Sequence, residues 1–208
     1  MTTVAIIGAG PLGRWLALAA ARAGYRVLLE DVMPANLHHA EEYIRQALGP
    51  AALGTTSFSQ SGKGLRYPGS QNSDPGHPAI AASEHLHVEF VSTVEDAVRE
   101  ADLAIDCVPD ELESKLEILW LMDRMAPPRT VLATPTTQLS IADLAGCTYR
   151  AELCVGIAVD PRDFSRLAQR DSKTGLALRI TERTTQEAAQ LVRAFWERLG
   201  FGVTLERD

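Results

Sequence analysis

The chain has 208 residues, of which 46% are hydrophobic and 23% charged, and this predicts one soluble domain with a sizeable core. A formal net charge of −7 disfavours nucleic acid and anionic membranes as partners, because both attract basic surfaces. The first apolar run is too short for a signal peptide or a membrane span. Three cysteines fit no metal-ligand spacing and are typical of reduced thiols, which favours a cytoplasmic protein without a metal site.

The first elements in chain order are predicted to form a strand, a helix and a second strand. Residues 3–10, TVAIIGAG, are continuously apolar and β-branched before two glycines. Residues 11–24, PLGRWLALAAARAG, have helical spacing and stop at a glycine, and residues 25–32, YRVLLEDV, are apolar again. This is the pattern of a βαβ unit of about thirty residues.

The same alternation continues to the end of the chain. Helices are predicted at 34–48, 94–101, 110–125, 140–146 and 184–200, and strands at 87–92, 102–108, 129–135, 153–159, 175–181 and 201–206. Such alternation predicts an α/β fold of the Rossmann type, a doubly wound and mostly parallel sheet with helices on both faces.

Residues 50–86 interrupt this alternation. They are rich in Gly, Ser and Pro and show no hydrophobic period. A stretch of this kind is either a functional lid or a disordered loop, and its composition favours a flexible insertion. The whole of 1–208 is therefore predicted to be one dinucleotide-binding domain that carries this insertion.

The segment GAGPLG places Gly8, Gly10 and Gly13 directly after a strand and at the start of a helix. In this context the first glycine permits a tight turn, the second admits a pyrophosphate to the backbone, and the third lets helix and strand pack closely. The helix amino terminus, with Pro11 and Leu12, offers free N–H groups and a partial positive charge to phosphates. The motif predicts a dinucleotide site.

Asp31 stands at the end of the second strand, about twenty residues after the glycines. A carboxylate there accepts hydrogen bonds from the adenosine ribose hydroxyls, and it would repel a 2′-phosphate. NAD is therefore the predicted cofactor, in preference to NADP. The neighbouring Glu30 is predicted to point to the other face of the strand.

Three blocks of the sequence carry a resemblance to a known family. They are VAIIGAGPLGRWLALAAARAGYRVLLEDV, DLAIDCVPDELESKLEILWLMDRMAPPRTVLATPTTQLSIADLA and ERLGFGVTLERD. Together they resemble the amino-terminal, NAD-binding domain of the 3-hydroxyacyl-CoA dehydrogenases. The resemblance implies hydride transfer between NAD and a 3-hydroxyacyl thioester, and a place in fatty acid metabolism.

The resemblance also assigns roles to residues of the middle block. Asp110 and Lys115 fall where the family contacts the cofactor near its nicotinamide half, and Cys107 and Val108 fall where backbone lines the ribose. The sequence leaves an alternative for each charged residue. Asp110 could be a carboxylate favoured by a helix dipole, and Lys115 could belong to a solvated helix face.

The sequence departs from the family where catalysis is expected. The family's catalytic histidine falls on Ala158 and the glutamate that orients it falls on Gln169. Thr137 keeps a hydroxyl in a segment that otherwise differs, and Asp160 could serve as the base. Thr137 and Asp160 are therefore the candidate catalytic residues, although Asp160 before Pro161 also fits a plain turn residue.

Three hypotheses remain open. The chain is an oxidoreductase acting on a 3-hydroxyacyl thioester or a similar small substrate, a catalytically silent NAD-binding module, or one half of a split enzyme. The family continues into a helical domain that closes the substrate site and makes the dimer, and this sequence is expected to lack it. A homo-oligomer or a partner chain is therefore expected to cover the substrate-facing surface.

Overall fold

The structure is a computed structural model that describes residues 1–48, 87–162 and 175–208. The predicted insertion at 50–86 and Gln169 lie outside these residues. The described part contains, in chain order, β1 (Thr3–Ile7), α1 (Pro11–Arg22), β2 (Arg26–Glu30), α2 (Pro34–Leu48), β3 (Val88–Val91), α3 (Val94–Val98), β4 (Leu103–Asp106), α4 (Leu112–Met125), β5 (Val131–Pro135), α5 (Ile141–Gly146), a 3-10 turn (Ala151–Leu153), β6 (Cys154–Ile157), β7 (Gly175–Ile180), α6 (Gln186–Arg198) and β8 (Gly202–Arg207).

The strands form one sheet in the order β3-β2-β1-β4-β5-β6-β7-β8. Neighbouring strands are parallel except for β6 and β7, which pair antiparallel. The strand order reverses beside β1, because β2 lies on one side of it and β4 on the other. Ligands of doubly wound sheets bind at such a reversal, outside the carboxyl ends of the strands. The predicted Rossmann-type, mostly parallel sheet is confirmed.

Helices cover both faces of the sheet, and β1 shows why. Its five residues are all buried, and alternate side chains enter two different cores. Val4 and Ile6 pack into a core with residues of α1, α2 and α6, whereas Ala5 and Ile7 pack into a core with residues of α3, α4 and α5. A continuously apolar strand is therefore the expected pattern for a sheet that is buried on both sides.

Local capping sets the starts of several helices. The side-chain oxygens of Thr93, Ser140 and Thr185 accept hydrogen bonds from backbone N–H groups in the first turns of α3, α5 and α6. α1 begins with Pro11 and its chain turns at Gly24, which has a φ of +82°. No helix in the described part of the chain is long and apolar enough to cross a membrane.

A buried ion pair ties α4 to the middle of the sheet. The Nζ of Lys115 donates a hydrogen bond of 2.5 Å to an oxygen of Asp106 at the end of β4, and both side chains are fully buried. Burial raises the pKa of Asp106, and the attraction of Lys115 opposes this shift. The interpretation of Lys115 as part of a solvated helix face is wrong, because the face that carries it packs on the sheet.

Lys115→Met is expected to lower the free energy of unfolding by about 3–5 kcal/mol, since it leaves the Asp106 carboxyl buried without its partner. The double variant Asp106→Asn/Lys115→Met removes both charges and is expected to recover at least half of that loss. Urea denaturation at pH 7 measures both values. Equal losses in the single and double variants would contradict a pairwise interaction.

Candidate cofactor site

The loop after β1 brings α1 into close contact with the end of β1 and with the residues that follow β4. Gly8 has a φ of +102°, a conformation that other residues rarely adopt. A Cβ on Gly13 would lie 1.8 Å from the carbonyl oxygen of Gly8, and a Cβ on Gly8 would lie 3.2 Å from the Cys107 carbonyl group. Position 13 therefore requires glycine for packing reasons alone, and position 8 requires it chiefly for its backbone conformation.

Gly10 differs from the other two glycines. It has a φ of −62°, and a Cβ built on it would meet nothing within 4 Å. The fold itself therefore does not require glycine at this position, whereas a ligand that approaches the backbone does. Pro11 has no N–H, and the N–H groups of Leu12 and Gly13 have no partners within the helix. The residues present fit a pyrophosphate at this helix terminus.

Asp31 follows β2 and is held against the glycine loop. One of its oxygens accepts a 2.8 Å hydrogen bond from the N–H of Ala9, and the other accepts one of 2.8 Å from the N–H of Met33. The side-chain amide of Asn36 donates to both oxygens. These contacts fix the carboxylate beside the loop, where a ribose diol would lie if the pyrophosphate bound at α1.

A cavity of about 640 Å³ opens next to this loop. Its wall comes from the ends of β1 and β2, the start of α3, the loop after β4 and one side of α4. Both Glu30 and Asp31 line it, together with apolar residues such as Ile118 and Leu121. A largely apolar wall with a few polar groups is what an adenosine moiety requires.

Glu30 and Asp31 approach the cavity from opposite faces of the sheet. Leu28, two residues earlier, packs in the core of α3 and α4, so Glu30 lies on that face. Asp31 instead contacts Ala9 and Asn36, on the side of α1 and α2. Burial raises the pKa of Glu30 to about 7, and the neighbouring Asp31 adds to the shift.

Cys107 and Val108 continue the site across the strand reversal. The N–H of Cys107 donates a 2.6 Å hydrogen bond to the carbonyl of Ile7. Val108 lines the cavity. Burial raises the pKa of the Cys107 thiol, so this side chain is neutral and serves in packing. The segment thus lies beside the cavity, and the contact of its backbone with a ribose stays a prediction from the resemblance.

Three loops on the other side of the reversal are tied to one another. An oxygen of Asp110, after β4, accepts a 3.1 Å hydrogen bond from the N–H of Thr137, after β5. A 2.6 Å ion pair joins Glu111 to Arg162, after β6. The structure thus brings a predicted cofactor residue and a predicted catalytic residue together. Asp110 also lies directly before Glu111, the N-cap of α4, so the structure fits the helix-dipole interpretation as well as the contact with the other loop.

The segment after β6 shows what stands at the expected catalytic position. Ala158 is half-buried, and its N–H donates to the carbonyl of Ala177 on β7. One oxygen of Asp160 accepts a 2.8 Å hydrogen bond from the N–H of Arg162, two residues later. This local bond is typical of an aspartate turn. Thr137 is exposed at the end of the neighbouring strand.

The structure shows three buried charged residues, Glu30, Asp106 and Lys115, whose environments the sequence did not predict. The Lys115 side chain is fully buried on Asp106, so the predicted direct contact with the cofactor does not fit this geometry. Sequence reasoning missed Asp106 altogether and gave Glu30 no role. The available signal was the same in both cases, a carboxylate that directly follows a run of apolar strand residues, in LAID and RVLLE.

The fold and the glycine loop define a dinucleotide-binding domain of the Rossmann type. Comparison with known proteins then identifies the family. Residues 3–158 match the family described as 3-hydroxyacyl-CoA dehydrogenase, NAD binding domain, and the chain belongs to this family. NAD is therefore its cofactor.

Two of the relatives are named as dehydrogenases. A probable 3-hydroxybutyryl-CoA dehydrogenase of Bacillus subtilis is 27% identical over 95% of this chain and 59% of its own length. A 5-formyl-3-hydroxy-2-methylpyridine 4-carboxylate 5-dehydrogenase of Mesorhizobium japonicum is 27% identical over 74% of this chain and 43% of its own length. The chain thus spans about half the length of such relatives.

Solved structures agree on the fold. The (S)-3-hydroxybutyryl-CoA dehydrogenase of Ralstonia eutropha superposes with a TM-score of 0.71 at 19% identity, over 100% of this chain and 64% of that chain. A diketoreductase superposes with a TM-score of 0.72 at 21% identity, over 99% of this chain and 64% of that chain.

Two glycine variants separate folding from cofactor binding. Gly13→Ala is expected to lower the free energy of unfolding by about 1–3 kcal/mol, because the new methyl group meets the Gly8 carbonyl. Gly10→Ala is expected to leave stability nearly unchanged and to weaken NAD binding at least about tenfold, because its methyl group enters the ligand's space. Thermal unfolding and calorimetric titration with NAD measure the two effects. Unchanged NAD affinity in Gly10→Ala would contradict the assigned pyrophosphate position.

NAD is expected to bind appreciably more tightly than NADP, and Asp31→Ala is expected to narrow this preference about tenfold or more. The reason is the loss of a charged hydrogen-bond acceptor for the ribose and of repulsion toward a 2′-phosphate. The ratio of the two dissociation constants is the readout, because damage to the loop affects both ligands. Equal affinities of the parent protein for NAD and NADP would refute the role of Asp31.

Proposed function

We propose that this chain is the NAD-binding part of an oxidoreductase that acts on the CH–OH group of a 3-hydroxyacyl thioester or a similar small substrate. The observation that carries this proposal is the edge of the sheet where the loops after β4, β5 and β6 are joined, beside the glycine loop. The relatives are named for different substrates, a 3-hydroxyacyl thioester and a substituted pyridine, and this supports including a similar small substrate in the proposal. Bound NAD supplies the acceptor for the hydride.

The chain itself has to hold the substrate and accept the hydroxyl proton. Histidine suits this task because its pKa lies near neutral, but Ala158 has no ionisable group. The hydroxyl of Thr137 is exposed at the joined edge, and its backbone is fixed by Asp110. The carboxylate of Asp160 lies after the next strand and keeps one oxygen free of the turn hydrogen bond. We propose these two groups as the candidates for holding and moving the proton.

A second candidate function is a catalytically silent NAD-binding module. It is favoured by the alanine at position 158 and by the hydrogen bond that keeps Asp160 within its own turn. One half of a split enzyme is a variant of the first function, in which another chain supplies the rest of the substrate site. The silent module and the oxidoreductase, whether split or not, share the NAD site. They differ in whether the protein turns over a substrate.

Association with a second copy or a partner chain, in the cytoplasm, is part of the proposal. The apolar residues Trp120 and Met125 of α4 are partly exposed, and Arg124 lies over the Trp120 ring. Met122, between them, is fully buried and belongs to the core. Leu112 at the start of α4 is exposed as well, so the exposed apolar residues of α4 are separated along the helix. Light scattering at high protein concentration shows whether a second chain covers them.

The isolated chain is expected to bind NADH but to reduce acetoacetyl-CoA very slowly or not at all. A positioned proton-transfer histidine contributes a factor of about 10² to 10⁴ in rate, and the substrate also needs positioning. Ala158→His/Gln169→Glu is expected to restore a trace of turnover, whereas Ala158→His alone is not. NADH oxidation followed at 340 nm provides the measurement.

Brisk turnover by the unmodified protein would overturn the silent-module alternative. In that case Thr137→Val and Asp160→Asn, made separately, show which group carries the proton. Loss of kcat with NADH affinity unchanged identifies the group, because neither residue belongs to the adenosine half of the site. NADH binding without turnover in any variant or with any added chain would favour the silent module.

A further inference from the structure

The carboxyl group of Glu30 is the least explained polar group of the cofactor site. The residue is 5% exposed and lines the 640 Å³ cavity from the end of β2. Within the described residues, its side chain forms no hydrogen bond and no ion pair. Buried polar side chains nearly always have a partner. A carboxyl that is buried, unpartnered and directed into a cavity therefore indicates that a ligand supplies the partner.

The groups that face this cavity make its electrostatics one-sided. Asp31 after β2, Glu95 on α3 and Glu117 on α4 line it together with Glu30, and β1 and the loop after β4 contribute only uncharged residues. No lysine, arginine or histidine is among the described residues of its wall. Nothing in the wall therefore stabilises a negative charge on Glu30, and the neighbouring Asp31 opposes it.

We propose that Glu30 is a second residue that recognises the adenosine half of NAD, and that it does so as a neutral carboxylic acid that donates a hydrogen bond. The acceptor is a ring nitrogen of adenine or an oxygen of the ribose. Asp31, on the opposite face of the strand, accepts from the ribose hydroxyls at the same time. The two neighbouring carboxyl groups thus have complementary roles, one as donor and one as acceptor.

The protonation state follows from the surroundings. Burial raises the pKa of Glu30 to about 7, so the free protein loses this proton as the pH passes through neutrality. Binding as a hydrogen-bond donor stabilises the protonated form, which raises the pKa further in the complex. The affinity for the dinucleotide is therefore highest below pH 7 and falls as the pH rises above it. An acceptor role for Glu30 would give the opposite trend.

ADP-ribose is the suitable probe, because it retains the adenosine and the pyrophosphate and omits the nicotinamide. Its pyrophosphate stays ionised from pH 6 to pH 8, so a change in affinity reports on the protein. Titration calorimetry of the full chain is expected to give a dissociation constant about tenfold larger at pH 8 than at pH 6. In buffers of different ionisation enthalpy at pH 8, binding is expected to take up nearly one proton.

Glu30→Gln keeps the shape and a donor but does not titrate. It is expected to bind ADP-ribose with the same affinity at both pH values, close to the parent protein at pH 6. Glu95→Gln removes another carboxylate of the same cavity and is expected to keep the tenfold pH dependence. The proton uptake of the unmodified protein tests the proposal without any variant, should Glu30→Gln fold poorly.

Several results would overturn the proposal. They are an affinity independent of pH in the parent protein, an affinity that rises with pH, the absence of proton uptake at pH 8, or the same pH dependence in Glu30→Gln as in the parent. Binding of ADP-ribose at both pH values with any of these outcomes removes the role of Glu30 and leaves the NAD site in place. Absence of binding at every pH would remove both.

Discussion

The close approach of α1 to the turn after β1 is the contact on which the rest of the site depends. A single methyl group on Gly13 would lie 1.8 Å from the Gly8 carbonyl oxygen, far below the van der Waals contact distance of the two atoms, so the helix can reach the sheet only where no side chain intervenes. This contact directs the amino terminus of α1 toward the strand reversal. The packing of the first helix and the position of the pyrophosphate are therefore consequences of one steric requirement.

The two halves of the cofactor cleft are built on different physical principles. On the adenosine side, polar groups come from strand ends, and Asp31 is held by backbone N–H groups of its surroundings. On the nicotinamide side, the loops are held by contacts between themselves, such as the bond from Thr137 to Asp110. Below them lies the Asp106–Lys115 pair, which fixes α4 to the sheet at a desolvation cost.

The order of strands and helices could be predicted from the sequence because apolar runs buried on both faces have a distinctive pattern. The glycine loop and Asp31 could be predicted for a different reason, because their spacing along the chain follows from the local geometry of the dinucleotide-binding turn. The antiparallel β7 could not, because strand direction depends on pairing partners distant in sequence. The burial of Lys115 could not either, since its cost is offset only by Asp106, a partner that the helical pattern does not reveal.

The burial of Cys107 has a consequence for the chemical behaviour of the protein. The Cβ of Cys107 lies 3.5 Å from the position that a Cβ on Gly13 would take, so the side chain is packed against α1. Burial raises the pKa of the thiol and keeps it in its unreactive, protonated form. Cys147, by contrast, is only half-buried. Alkylating reagents therefore discriminate between the two. Modification of Cys107 requires α1 to separate from the sheet, so its rate reports how often the cofactor loop opens.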